Sequence, residues 1–489
     1  MFKKINFYIL ALIITVINIS ISTPIALAVK KNKELKLVQA KEHPIILQVA
    51  TSPDFPPFEV MHKGQIVGIE MDIIKEISKE TNIKFEWQTM PFATIIGALT
   101  SKKVDLGVSG FNATPERKKN VDFTNSYYSA NLALLSKKDK KVYQLSQLVG
   151  KKVGVQTGTT MNEYLKTYNK NNPNNQLTIV VLDDNNIAVE MLLNEKLDAY
   201  LAEEMQGKAY SAMYSGIQLV QIPIKGSSYN IALQKNSPYT KIINDALMKL
   251  KNNGKIDKII KQWQEKYISQ MLKEQKKSDY IKSLFGIFKS SILTIQYAIS
   301  SILAGLCLSL MLTLMIYSGN KLLFYIARSY VSIIRGTPLL LQMSLVYFGL
   351  SKFTGINLSV FFACVIAMSL NSAAYLTEII RSGVRSIDAG QFEACKSLNI
   401  PKYLAIKDIY IPQVVHNIFP ALINEFIALI KESSMASVLG GYEIMKNTNI
   451  VIAEYYSYFT PLIVAGISYY IKTFTLEMFA HWWEKRYKY

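Results

Sequence analysis

Apolar residues follow two different patterns along the chain. Between residues 44 and 269, short β-branched runs alternate with helical stretches at 70–80 and 239–253. The runs are predicted as strands at 45–50, 104–108, 152–155, 178–182 and 198–202. This alternation predicts parallel βαβ units. Because the region is large for one such sheet, we expect two lobes, 44–135 with 225–269 and 136–224, with a binding cleft where they meet.

The second pattern consists of long apolar segments in the C-terminal part. Five of them are predicted to cross a membrane: 284–317, 321–350, 358–380, 410–430 and 456–480. A polar, lysine-rich linker is predicted at 270–283. The predicted fold class is therefore an α/β two-lobed clamshell followed by an all-α transmembrane domain of five helices at 284–489.

The N-terminal residues 1–28 have the features of an export signal. Lys3 and Lys4 precede an apolar run, and Ala26 and Ala28 give the A-x-A spacing that signal peptidase recognises. An uncleaved membrane anchor is the alternative, and both place the two-lobed domain outside the cell. Basic residues such as Arg381, together with Lys488 in the tail, then fall inside. We expect a multi-pass protein of the cytoplasmic membrane with a cytoplasmic C-terminus.

Composition narrows the function classes. Half of the residues are hydrophobic and 19% are charged, which excludes a disordered chain. The formal net charge of +19 would suit a nucleic-acid partner, but no basic, aromatic-interleaved cluster occurs, so we expect none. The 3 cysteines lie in the apolar part and the 4 histidines are far apart in sequence, so neither a metal site nor a cofactor is expected.

Candidate binding residues follow the predicted strands of the two-lobed domain. Thr114 and Pro115 are typical of a helix start, and Arg117 in its first turn can hold a carboxylate together with free backbone N–H groups. A plain surface arginine is the alternative. Thr160 belongs to a second loop whose amides could face an anion, and Glu203 ends a strand. Ligands bind at such strand ends in open α/β sheets.

The order and spacing of these motifs resemble a known family. The matching stretches are 49–58, 103–110, 114–119, 121–124, 154–160, 253–254 and Trp263. They are similar to the family 3 extracytoplasmic amino-acid-binding proteins that serve polar amino-acid ABC importers. The resemblance covers essentially the whole exported domain and implies the periplasmic-binding-protein clamshell.

The resemblance implies a set of ligand-binding residues. Arg117, helped by the backbone at Thr160, would bind the α-carboxylate, and Glu203 would bind the α-ammonium of the ligand. The full set is Ser52, Phe55, Phe92, Ser109, Gly110, Asn112, Arg117, Thr160 and Glu203.

The far end of the predicted pocket is less determined. Phe55 and Phe92 are expected to sandwich the ligand side chain. Ser52 stands where several relatives carry an acid, which leaves the side-chain preference open. Asp54 and Glu59 either contact a basic side chain or form a solvated rim.

A short segment between two predicted spans resembles the EAA loop of ABC import permeases, which docks on the ATP-binding subunit. The residues assigned to this coupling helix are Glu393, Ala394, Cys395, Leu398 and Asn399. Cys395 replaces the second alanine and Asn399 the usual glycine. An amphipathic helix on the membrane surface is the alternative.

Further stretches, 334–339, 369–381 and 429–434, are similar to the amino-acid permease subfamily. Asn371 and Glu378 are candidates for the transport path. Because an ionisable group at membrane depth is costly, Glu378 either faces that path or pairs with an arginine or lysine.

These observations predict a receptor–permease fusion. The chain has no G-x-x-x-x-G-K-[ST] loop, so a separate ATP-binding subunit is expected as partner, with this chain as a homodimer and no enzyme activity of its own. The expected ligand is an L-amino acid, arginine, lysine or histidine first and glutamine next. An amino-acid-gated channel and a transmembrane sensor are the alternatives.

Overall fold

The computed structural model describes residues 45–140, 142–274, 277–455 and 457–486. The predicted export signal and Lys488 lie outside these ranges. Residues 47–81 and the described residues from 85 onward belong to one compact unit. Residues 45, 46 and 82–84 belong to another, in which the amide of Lys84 donates to the carbonyl of Ile45 at 2.8 Å.

The N-terminal domain alternates strands and helices, as the sequence predicts. Its strands are β1 (Ile46–Thr51), β2 (Asp54–Phe55), β3 (Glu59–His62), β4 (Gln65–Val67), β5 (Lys84–Thr89), β6 (Leu106–Phe111), β7 (Val121–Phe123), β8 (Tyr128–Lys137), β9 (Lys152–Gln156), β10 (Thr178–Leu182), β11 (Ala199–Glu203) and β12 (Ile217–Gln234). Its helices are α1 (Ile69–Thr81), α2 (Phe92–Thr100), α3 (Pro115–Asn120), α4 (Thr160–Asn171), α5 (Asn185–Leu193), α6 (Glu204–Met213), α7 (Thr240–Asn252) and α8 (Lys255–Glu274).

Two lobes share one run of paired strands in the order β10-β9-β11-β8-β12-β6-β1-β5. The pairs β9–β10, β9–β11 and β1–β6 are parallel, as the βαβ rhythm predicts. Strands β8 and β12 are antiparallel to each other and run through both lobes. Strand β12 pairs with β8 at Gln221 and with β6 at Ala232. These two strands therefore connect lobe 1, with β1 and β6, to lobe 2, with β9 to β11.

Each lobe has its own apolar core. In lobe 1, helix α2 buries Ile95 and Leu99 against Phe111 of β6. In lobe 2, Val153 of β9 and Leu201 of β11 lie in one cluster with Leu165 of α4. Burial of such a side chain stabilises the fold by about 1.5–3 kcal/mol. The cleft lies where these two separately packed bodies meet.

The C-terminal domain is helical throughout the part that the structure describes. Its α-helices are α9 (Lys277–Lys289), α10 (Ser291–Tyr317), α11 (Lys321–Arg335), α12 (Leu339–Ser344), α13 (Leu350–Thr354), α14 (Val360–Arg385), α15 (Ala389–Ser397), α16 (Lys402–Leu404), α17 (Ile411–Glu432), α18 (Ile444–Tyr455) and α19 (Phe459–Arg486). The stretch predicted as a linker, 270–283, falls in the end of α8 and the start of α9, apart from residues 275 and 276.

Among the described residues, 4 helices are long and apolar enough to cross a membrane: Asp279–Tyr317, Val360–Arg385, Lys402–Leu439 and Phe459–Arg486. The count becomes 5 if a bent pair, Lys321–Arg335 with Leu339–Gly349, forms a single span. The apolar segment 321–350 is thus not one straight helix but two helices at 105°. Gly336 ends the first helix and Pro338 precedes the second. A proline disfavours helical geometry at the residue before it, so the helix is interrupted here.

Candidate functional site

A small cavity of about 20 Å³ lies between the two lobes. Its walls include Phe55, Phe92, Ser109, Gly110, Asn112 and Glu203 from the predicted binding set. They also include residues outside that set: Asp54, Gln156, Thr159, Met161 and Tyr229. Such a volume has room for about one water molecule, so an amino acid can bind only if the walls move apart.

Arg117 is held at the edge of this cavity. Its helix begins as predicted, with the Thr114 hydroxyl accepting from the Arg117 amide and Pro115 in the first turn. The guanidinium lies over the rings of Phe92 and Phe111, with its carbon 5.4 and 5.3 Å from the ring centres. Burial lowers the pKa of Arg117 to about 10, so the group is charged at neutral pH.

The donors of Arg117 point at backbone carbonyls. Nη1 donates to the carbonyl of Asn112 at 3.0 Å, and Nη2 to that of Gly158 in lobe 2 at 2.7 Å. Within the described ranges no carboxylate forms an ion pair with it. A charged guanidinium whose partners are neutral carbonyls is well suited to a carboxylate ligand.

Asn112 also connects the lobes, because its Oδ1 accepts from the Thr160 hydroxyl at 2.9 Å. Thr160 begins helix α4, which the Thr159 side chain caps by accepting from the Asn162 amide. Thr160 does not line the small cavity itself. Ser52 lines a separate, larger cavity described below. The structure thus brings most of the predicted set together and places Arg117, Thr160 and Ser52 around its rim.

Glu203 supplies a buried carboxyl group at the end of β11. The residue is 3% exposed, and its Oε2 has no hydrogen-bond partner in the described part of the chain. Burial raises the pKa of Glu203 to about 8, and the nearby Tyr229 hydroxyl lowers it only in part. An ammonium group beside this oxygen would favour the charged carboxylate.

Ser109 and Gly110 are fixed by two buried acids. The Ser109 hydroxyl donates to Glu59, and the Gly110 amide donates to Glu70 at 2.9 Å. Gly110 has a φ of +58°, and an added Cβ would lie 3.0 Å from the Phe55 ring. Only glycine therefore allows this close approach to an aromatic wall.

The solvated rim considered for Asp54 and Glu59 is wrong. Asp54 is 6% exposed and Glu59 is fully buried. Burial and the neighbouring Glu70 raise the pKa of Glu59 well above its usual range. A single sequence carries no signal for this burial, because Asn185, which contacts Asp54, and Ser109, which contacts Glu59, lie far away along the chain.

The two aromatic residues are anchored by neighbouring rings. Phe55 stacks on Phe58 with ring centres 5.2 Å apart, and Phe92 stacks on Phe111 at 4.8 Å. Tyr229, which the sequence analysis did not include in the site, has its ring centre 6.0 Å from that of Phe55. The cavity therefore has rigid apolar walls between its charged ends.

Ligand binding is expected to tighten as the pH rises from 6 to 8. Glu203 is largely protonated below its pKa of about 8 in the closed cleft, and a bound ammonium group requires it to lose that proton. Affinity is therefore lost as the pH falls below 8, by at most about tenfold per pH unit for one proton. Calorimetry of the full chain in buffers of different ionisation enthalpy measures both the affinity and the proton release. Glu203→Gln should reduce this dependence to the part that comes from Asp54, whose pKa burial and the neighbouring Asp184 raise to about 7. An equal affinity at pH 6 and 8 in the unaltered protein would contradict it.

Comparison with known proteins agrees with this geometry. Residues 47–266 match the bacterial extracellular solute-binding proteins, family 3, and residues 301–489 match the binding-protein-dependent transport system inner membrane component. A putative glutamine transport system permease protein GlnP of Rickettsia conorii is 42% identical over 207 residues, 42% of this chain and 95% of that protein. The chain belongs to the family of amino-acid ABC transport permeases. It carries a solute-binding domain fused to the permease domain, which confirms the predicted resemblance and disfavours the channel and the sensor.

Two further relatives each match one half of the chain. The arginine transport system permease protein ArtQ of Bacillus subtilis is 40% identical over 202 residues, 41% of this chain and 92% of that protein. The arginine-binding extracellular protein ArtP of the same organism is 35% identical over 222 residues, 44% of this chain and 85% of that protein. Each half thus has its own relatives.

The predicted coupling residues lie in and directly after α15 of the permease domain. Asp388 caps this helix by accepting from the Gly390 amide. Glu393, Ala394, Leu398 and Asn399 are exposed, with Leu398 at 73%, whereas Cys395 is buried. Asn399 has a φ of +51°, which is left-handed geometry that asparagine tolerates better than most residues. This explains how asparagine can occupy a position where glycine is usual.

The two transport-path candidates both have protein partners. Asn371 donates to Gln342 Oε1 at 3.1 Å. Glu378 accepts from Arg328 at 3.1 Å and also forms a close ion pair with Arg381. The structure therefore places Glu378 in the arginine pairing that the sequence left open.

The binding domain contacts the permease domain directly. Lys103 donates to the carbonyl of Leu358 at 2.9 Å and lies 4.5 Å from the centre of the Tyr347 ring. Lys446 of α18 donates to the carbonyl of Thr89 at 3.2 Å. The permease residue Ser351 donates to the carbonyl of Ser101 at 2.8 Å.

Lys446 also lines a cavity of about 480 Å³ that residues of both domains enclose. It is lined by Ser52, Asp54 and Pro91 from the cleft rim and by residues such as Met445 and Tyr458 from the permease domain. The rim of the cleft therefore opens onto the permease domain.

Proposed function

We propose that this chain captures a basic L-amino acid outside the cell and passes it inward through its own permease domain, with ATP hydrolysed by a separate subunit. The observation that carries the proposal is the charge pattern of the cleft. Arg117 offers a guanidinium with neutral partners at one edge, and Glu203 offers a buried carboxyl oxygen that has no hydrogen-bond partner among the described residues. These two groups suit the carboxylate and the ammonium of an amino acid.

The preference for a basic side chain is supported by a second acidic residue in the cavity wall. Asp54 lines the same cavity, and its hydrogen-bond donors are neutral hydroxyl and amide groups. A cationic side chain between Phe55 and Phe92 would gain both this carboxylate and the aromatic faces. The binding half is similar to a protein named as arginine-binding, while the permease half is similar to proteins named for glutamine and for arginine transport. Because capture takes place in the binding half, we give its relative more weight.

Arginine, lysine or histidine should bind at least tenfold more tightly than glutamate, a difference of about 1.4 kcal/mol. An acidic side chain would approach Asp54 and Glu203 without a free cationic partner, because the ligand α-carboxylate takes Arg117. Competition binding on the purified full chain, with glutamine as a fourth competitor, measures the order. If glutamate binds most tightly, the far end of the pocket has been misassigned.

We also propose how the transporter is assembled and oriented in the membrane. The exposed Glu393 and Leu398 of the coupling segment are available to an ATP-binding subunit. We place the C-terminus in the cytoplasm, count the bent helix pair as a fifth span, and expect two copies of this chain to form the transport path. Cysteine accessibility at the end of α19 tests the orientation.

A further inference from the structure

Asp54 lines the pocket and also accepts several hydrogen bonds from the opposite lobe. The residue belongs to β2 in lobe 1. Its Oδ2 accepts from the Asn185 amide at 3.0 Å, from Asn185 Nδ2 at 3.1 Å and from Gln156 Nε2 at 3.3 Å, all in lobe 2. Its backbone carbonyl accepts from Asn185 Nδ2 at 3.3 Å and from the Tyr210 hydroxyl at 3.1 Å, again in lobe 2.

The lobe 2 donors are themselves held in place. Asn185 begins helix α5, and its Oδ1 accepts a close hydrogen bond from the hydroxyl of Tyr200 in β11. On the lobe 1 side, the Ser52 hydroxyl donates to Asp54 Oδ1 at 2.7 Å. Asp54 thus fits a site that is already formed when the lobes close, which reduces the entropy lost on closure.

The other contacts across the cleft have a different character. Arg117 with Gly158, and Thr160 with Asn112, use residues that the ligand is expected to contact. A ligand carboxylate would compete for those donors. The contacts of Asp54 need no ligand atom, so they can hold the lobes together before, during and after capture.

Opening the cleft would expose these groups. The carboxylate would return to water, and Asn185 and Gln156 would lose an acceptor that is nearly buried in the closed form. The closed contacts therefore contribute to the balance between the open and closed forms, in addition to any contact with the ligand.

We propose that Asp54 is a closure residue: its carboxylate holds the two lobes together directly and so sets the affinity for every amino acid, neutral or basic. This inference rests on amino-acid capture in this cleft. It differs from the charge effect of Asp54 on basic ligands, which would leave neutral ligands unaffected.

Two substitutions at the same position separate the two effects. Asp54→Asn keeps an oxygen for the lobe 2 donors and an amide that can donate to Ser52, but it removes the charge. Asp54→Ala removes the carboxylate contacts altogether. Asp183→Ala, an exposed acid close to α5 in sequence, controls for local charge.

Hydrogen exchange of the full chain in lipid nanodiscs, without amino acid, tests closure directly. Amides at the start of α5 and the end of β9 should exchange at least fivefold faster in Asp54→Ala than in the unaltered protein, and at an unchanged rate in Asp54→Asn and Asp183→Ala. This arm needs no ligand, so it stays informative if the proposed substrate class is wrong. Unchanged exchange in Asp54→Ala would overturn the inference. A loss of protection across both lobes would identify unfolding, and Asn185→Ala, which removes the Nδ2 donor to Asp54 from the other side of the cleft, then replaces it. Faster exchange at the end of β9 in Asn185→Ala supports the inference, and unchanged exchange there overturns it.

Glutamine binding provides the second arm. We expect glutamine to bind at least fivefold more weakly to Asp54→Ala but within twofold of normal to Asp54→Asn, whereas arginine binding should weaken in both variants. A loss confined to arginine would assign Asp54 to side-chain recognition alone and would overturn the closure role.

Discussion

Arg117→Ala is expected to weaken amino-acid binding by about 3 kcal/mol, or more than 100-fold, the largest effect of any single change in the cleft. A hydrogen bond to a charged group contributes about 1.5–3 kcal/mol, and a ligand carboxylate can accept two from one guanidinium. Alanine also removes the group that stacks on Phe92 and Phe111. Calorimetric titration of the purified full chain measures the loss.

Two neighbouring substitutions define the specificity of that result. Arg117→Lys should recover only part of the affinity, because an ammonium cannot form the bidentate pair. Lys118→Ala, an exposed cation on the same helix, should bind as the unaltered protein does. An Arg117→Ala variant whose affinity stays within twofold of normal would remove Arg117 from the binding site.

Disrupting the coupling segment should abolish amino-acid-stimulated ATP hydrolysis while amino-acid binding stays intact. The double variant Glu393→Arg, Leu398→Asp reverses one exposed charge and places another on an exposed apolar residue. A buried charge without a partner at the subunit contact would be strongly unfavourable. The measurement is ATPase activity of the complex with its ATP-binding subunit in proteoliposomes, with and without amino acid.

Ser397→Ala, at the exposed end of the same helix, is the matched control and should retain stimulation. Normal ligand affinity in the double variant would show that the binding domain is undisturbed. Full stimulation in the double variant would mean that the ATP-binding subunit docks elsewhere on the permease.

Local sequence signals were sufficient for the elements that position the cleft. The run at 178–182 is a strand with the predicted limits, and helix α1 extends one residue beyond each end of the predicted 70–80. The start of α3 followed from Thr114 and Pro115, because an N-cap and a proline in the first turn satisfy helix geometry without any distant partner. Local backbone chemistry fixes these features, so a single sequence reveals them.

The contacts of Asp54 could not be predicted in the same way. Asn185 lies 131 residues and Gln156 lies 102 residues from Asp54 along the chain. Strand β2 has only two residues, which is too short for an alternating pattern to reveal which side chain is buried. No local pattern therefore connects Ser52 with Asp54, although the structure joins them through one hydrogen bond.

The bend in the permease domain shows a related limit. Hydropathy averages over a window, so Gly336 and Pro338 are hidden among the apolar residues on either side. The angle of 105° depends on which way the chain turns after the break, and packing with the other helices decides that.

The contacts between the two domains also determine how the transporter responds to salt. Lys103 and Lys446 donate to backbone carbonyls, and Lys103 adds an aromatic ring, so these contacts use no pair of opposite formal charges. Dissolved ions screen attraction between exposed charges, but they weaken a partly buried contact of this kind much less. A receptor that finds its transporter by diffusion and complementary charge slows as ionic strength rises. Here the binding domain and the permease domain belong to one chain and contact each other through hydrogen bonds to backbone carbonyls. Delivery of the amino acid should therefore depend little on the salt concentration outside the cell.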